Sequence, residues 1–146
     1  MPSALVRALN KRHGIPLLAP ATLDAFLSEQ PSHALILFAG DPKARLEADD
    51  VAVVMPELLK AFQGRLRGGL IAPAAEDELK PRFHVVMTPS LVVTRGCQTI
   101  DVIAKIRDWS EYVILIEAAL APEASAMASN IRPKTQFRIN GARIDA

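Results

Sequence analysis

The sequence predicts a single α/β domain in which a central mixed β-sheet is flanked by helices. Three observations carry that prediction. The apolar run ALILF at 34–38 follows a segment of helical periodicity and precedes another, which gives a β-α-β opening. A long apolar stripe from Val51 to Phe62 marks a helix that faces a core. Two segments rich in β-branched residues, joined at 95–97, read as an antiparallel hairpin. Length agrees, because 146 residues, half of them apolar, bury one sizeable core and need no second domain.

The elements follow in order. Residues 3–12 form a short helix with Leu5, Val6 and Leu9 on one side and Gly14 placed to end it. A first strand is expected at 15–18, and Thr22 reads as the cap of a helix whose Leu23, Phe26 and Leu27 share a face. The run at 34–38 ends in Gly40, Asp41 and Pro42, as a buried central strand does. Val51, Val54, Met55, Leu58, Leu59 and Phe62 fall on one helical stripe, and Pro56 within it should kink the helix about one turn above its start. Leu70 to Ala72, after Gly68 and Gly69, reads as a short buried strand, and a polar segment then leads to Leu79, Pro81 and Phe83. SLVVT at 90–94 pairs with a strand containing Ile100, Val102 and Ile103. Asp108 and Glu111 resemble a capping box opening a last helix with Trp109, Val113, Ile116 and Leu120 on one face, so Trp109 is read as a packing residue. From Pro122 onward periodicity fades. The organisation predicted is a domain at 1–121, with its N-terminal helix at 3–12 and its core at 16–121, followed by a basic, mobile tail at 122–146.

Composition narrows the chemistry. No run approaches the roughly 18–20 apolar residues of a membrane helix, and Pro16 and Pro20 interrupt the segment after the basic N-terminus, so neither membrane insertion nor a secretory signal is expected; the protein is placed in the cytoplasm. Cys97 is the single cysteine, which excludes an intrachain disulfide, a CxxC motif and a cysteine-based zinc cluster. His13, His33 and His84 are too dispersed to suggest a metal, and no cofactor is expected. Both ends of the chain are basic, whereas residues 16–121 carry a net charge of −4, which disfavours nucleic acid and suits a cationic partner.

The segment KPRFHVVMTPSLVV at 80–93 resembles the thioredoxin stretch that leads into a cis proline and a strand, with Pro89 matching that proline. Pro56 looks like the proline inside the helix that carries the thioredoxin active site, and counting back places Ala48, Asp49, Asp50 and Val51 where CxxC would stand. The resemblance therefore implies a thioredoxin-like fold at 16–121, with a cis proline before a C-terminal hairpin and closing helix. It also implies that the redox machinery is missing as a set, since the apolar strand at 35–38 lacks the buried acid of thioredoxins. Within the branch without CxxC, GDPKARLEADDVAVVMPELLKAF at 40–62 is similar to hydrogenase expression and formation accessory proteins of the HupG/HyaE type. That similarity implies a non-enzymatic chaperone that binds the hydrogenase small-subunit precursor and its twin-arginine leader.

Asp41, Glu47, Asp49 and Asp50 are the candidate acidic surface for the arginines of such a leader, and Thr88 and Pro89 the candidate peptide groove. Each has an alternative. Carboxylates at a helix start are stabilised by about 0.3–1 kcal/mol through the exposed backbone N–H groups alone, and a cis proline can be purely structural. Two rival functions remain open: a monothiol oxidoreductase using Cys97, and an interaction module that self-associates as a homodimer.

Overall fold

The computed structural model describes residues 4–40 and 45–127. At its centre is β2 (His33–Phe38), whose residues 34–38 are all buried. A strand sends successive side chains to opposite faces, and here both faces are covered. Leu35 and Leu37 enter a core shared with α1 (Ala4–Lys11), α3 (Arg45–Ala61) and α5 (Trp109–Leu120). Ala34, Ile36 and Phe38 enter a second core with α2 (Pro20–Leu27), α4 (Glu76–Leu79) and Phe83. Phe83 packs edge-on against Phe38, with ring centroids 5.8 Å apart.

The sheet runs β1 (Leu17–Leu18), β3 (Arg67–Ile71), β2, β4 (Ser90–Arg95), β5 (Gln98–Ala104). The pairs β1–β3 and β3–β2 are parallel, and β2–β4 and β4–β5 antiparallel, so the mixed sheet expected from helical crossovers followed by a hairpin is present. Gly68 and Gly69 lie inside β3 rather than before it. A Cβ on Gly68 would collide with Leu59 of α3, and one on Gly69 with Leu18 of β1, so these two positions let the layers close on both faces.

Several local expectations need correction. Helix α2 begins before Thr22: Pro20 takes the first helical position and Ala19 is the cap. Thr22 Oγ1 instead reaches back to accept the Ala19 N–H at 3.1 Å. Helix α3 includes Arg45, so Pro56 sits about three turns in rather than one. Asp108 stands at the cap of α5 but makes no side-chain cap bond, and Glu111, the other half of the expected box, pairs with Arg107 at 2.6 Å. The buried face of α5 runs through Tyr112, Ile116, Ala119 and Leu120, while Trp109, its first residue, is 46% exposed. After α5 the chain turns back beside the hairpin: Arg95 Nη1 donates to the Ala124 carbonyl and the Met127 N–H to the Thr99 carbonyl, both at 2.7 Å. Of the expected tail, residues 128–146 lie outside the described residues, as does Asp41.

Candidate functional site

The chemistry-bearing side chains gather where β2 leaves the sheet. Two residues past Phe38, Gly40 adopts φ +90°, a conformation that L side chains rarely take. A Cβ at this position would also strike the Thr88 side chain. Glycine is therefore required twice over, once by the backbone and once by the close approach of the loop that carries Thr88. The Thr88–Pro89 peptide bond is cis, as is Gln30–Pro31. Ser90 Oγ donates to the Met87 carbonyl at 2.6 Å and closes the loop from behind.

Beneath Gly40 lies Glu76, only 8% exposed and the one buried carboxyl among the described residues. Its Oε2 accepts the Gly40 N–H at 3.0 Å. Burial pushes the Glu76 carboxyl above its ordinary range, and the Gly40 N–H and the charge of Lys80 pull in the opposite direction. This residue was not foreseen. The only signal for it in the sequence is that Glu76 shares a helical face with the buried Leu79 three residues on.

On the other side of Pro89 stands the connection between β5 and α5. The Lys105 N–H donates to the Pro89 carbonyl at 2.9 Å, and Lys105 itself has φ +66°. Tyr112 fixes this connection from within: its hydroxyl donates to the Lys105 carbonyl at 3.1 Å and accepts the Arg107 N–H at 3.2 Å. Burial raises the Tyr112 pKa, the Arg107 N–H lowers it, and the negative charge of Glu47 is among the smaller influences raising it. Glu47 stands in the first turn of α3, close enough for its charge to bear on the Tyr112 hydroxyl.

What the loop presents outward is apolar. Val85 is buried, but Val86 is 91% exposed and Met87 42%. Isolated exposed aliphatics are ordinary, whereas two in succession beside a fixed turn mark a surface that can cover an apolar segment. These two residues were also missed, because nothing in the local pattern of VVM before Thr88 tells which of the three is covered.

Residues 5–112 match the family model described as hydrogenase-1 expression protein HyaE. The chain belongs to the HyaE family. It is 52% identical over 147 residues to a hydrogenase expression/formation protein HupG of Rhizobium leguminosarum bv. viciae, covering 99% of each chain. It is 41% identical over 119 residues to a hydrogenase expression/formation protein HoxO of Azotobacter vinelandii, covering 82% of this chain and 79% of the relative. The crystal structure of hydrogenase expression/formation protein hupG from Rhodopseudomonas palustris CGA009 superimposes with a TM-score of 0.53 at 44% identity, over 72% of this chain and 94% of that one. The α/β fold of this HyaE family member is thioredoxin-like.

Within that fold the sequence-derived site residues separate into groups. Thr88 and Pro89 meet Gly40 and Lys105 as described, while Glu47 is tied to them only through its charge on Tyr112. Asp49 and Asp50 are not at the helix start. They follow Arg45 by four and five residues, Asp50 exposed and Asp49 half-buried, beyond the first turn in which the helix dipole acts. Helix capping therefore does not account for them. Asp50 shares a side of α3 with Glu47, three residues earlier, and Asp49 leads on to the exposed Val53. Ala48 and Val51, at the positions where the resemblance would place cysteines, are turned into the core. Cys97 is exposed at the tip of the β4–β5 hairpin, the length of β4 away from Pro89, which is roughly 20 Å at about 3.4 Å per residue. Among the described residues no group of His, Cys, Asp and Glu is arranged to hold a metal ion, and no helix is long and apolar enough to cross a membrane.

Proposed function

We propose that this protein is a redox-inactive accessory chaperone of nickel-iron hydrogenase maturation, which binds the small-subunit precursor in the cytoplasm through its twin-arginine leader. The family and the names of the relatives support the link to hydrogenase expression and formation. The observation that carries the binding reading is the exposed Val86–Met87 pair beside the Thr88–Pro89 turn; the early turns of α3 supply the carboxylates Glu47, Asp49 and Asp50. An export leader couples a basic n-region to a short apolar h-region. Its two halves match the two halves of this surface: arginines opposite Glu47, Asp49 and Asp50, and the apolar stretch over Val86 and Met87. A single cysteine at the far end of the hairpin supports the absence of dithiol chemistry.

Copurification tests the reading. Tagged protein should retain the small-subunit precursor, and lose it when the leader is removed or when both leader arginines are changed to lysine. Equal retention of the leaderless subunit would move recognition to the folded protein. Failure to retain either form would overturn the proposal. Thiol exchange by the reduced protein that disappeared in Cys97→Ala would support the monothiol alternative instead.

A further inference from the structure

Glu76 has no part in the recognition just described, yet it is a buried carboxyl held against the end of the central strand. Its Oε2 accepts the Gly40 N–H at 3.0 Å, a bond that spans from α4 to the exit of β2, and Gly40 is the residue against which Thr88 packs. The chain of contact runs from carboxyl to backbone N–H to loop: Glu76 holds Gly40, Gly40 seats Thr88, and Thr88 directly follows the exposed Val86 and Met87. A buried carboxyl oxygen that accepts a backbone N–H has no water to exchange that bond for, so losing it leaves the donor unpaired. Such a bond is a means of fixing a backbone turn to one position. The charged groups bearing on it are Lys80 and Asp77, and from β2 and its exit it meets the Ala39 and Gly40 backbone.

We infer that Glu76 is a positioning residue for the leader surface, setting the Thr88–Pro89 loop against the exit of β2. The inference rests on the peptide-binding reading for its purpose, but not for its geometry. Glu76→Gln keeps an acceptor in the same place, and Glu76→Ala removes it.

The experiment is amide NMR on the full-length protein, followed by titration with a synthetic twin-arginine leader peptide. In the wild type the Gly40 amide should titrate with the Glu76 carboxyl, and this titration should vanish in Glu76→Gln while the rest of the spectrum is kept. In Glu76→Ala the Gly40, Thr88 and Met87 resonances should move together, and leader affinity should fall about tenfold, or about 1.4 kcal/mol, with Glu76→Gln recovering most of it. A Gly40 amide that does not titrate in the wild type would overturn the inference, and so would Thr88 and Met87 resonances unmoved in a folded Glu76→Ala. If Glu76→Ala does not fold, the comparison of wild type with Glu76→Gln still decides. A wild-type protein that ignores the leader peptide while Gly40 and Thr88 respond to Glu76 would sink the peptide reading and leave the positioning role standing.

Discussion

Gly40 is the most constrained single position in the site. A side chain there meets both the positive φ and the Thr88 side chain, so Gly40→Ala should lower stability by at least about 1–3 kcal/mol from backbone strain alone. Urea unfolding checks this, and an unchanged midpoint would mean that the loop is free to retreat. Glu76 carries a pH signature whose sign follows from its raised folded-state pKa. In the window from 4.5 upward the native state holds a proton that the unfolded chain has released, so this stabilising contribution is present at acid pH and is lost as pH rises through the folded value. The thermal midpoint of wild type relative to Glu76→Gln should therefore fall as pH is raised across that window; a difference that rises would contradict the assignment. His33 acts in the opposite sense. Burial, then the charges of Arg95 and Arg65, lower its pKa, and acidification below 6.5 disfavours the fold through it, which is why the comparison is made between variants rather than on the wild type alone.

At the scale of elements, the connection between β5 and α5 depends on one hydroxyl. Tyr112→Phe should cost about 0.5–1.5 kcal/mol, the net worth of an ordinary hydrogen bond, or more because the Arg107 N–H is left without its acceptor. The Lys105 and Arg107 amides should lose protection from hydrogen exchange, and unchanged protection would show that Tyr112 is only packing. This element also shows where periodicity misleads. Trp109 and Tyr112 are three residues apart and compatible with one stripe, but Trp109 is the first helical residue and lies out in solvent while Tyr112 anchors the loop. Central strands and the α3 stripe were legible because burial on both faces, or on one, writes itself into the spacing of apolar residues. Caps were not. Ala19 and Pro20 outcompeted Thr22 through the reciprocal bond that Thr22 makes, and Glu111 was taken up by Arg107.

Across the whole molecule, the order of elements and the mixed sheet were readable because parallel crossovers and hairpins leave distinct signatures. The candidate site was readable only in part. Thr88 and Pro89 stand out in the sequence, whereas Glu76 and the exposure of Val86 and Met87 arise from juxtapositions across 36 and more residues that no local pattern encodes. The account that joins them makes charge and apolar contact on one surface jointly responsible for recognising a leader. Calorimetric titration of a synthetic twin-arginine leader peptide into wild type and into Asp49→Asn/Asp50→Asn, at low and high salt, tests this most directly. Saturable binding is predicted, weakened about tenfold in the folded double variant, as the loss of partly desolvated charge-assisted bonds worth about 1.5–3 kcal/mol requires, and weakened in the wild type by added salt. Wild-type affinity equal to that of the folded double variant and insensitive to salt would contradict it.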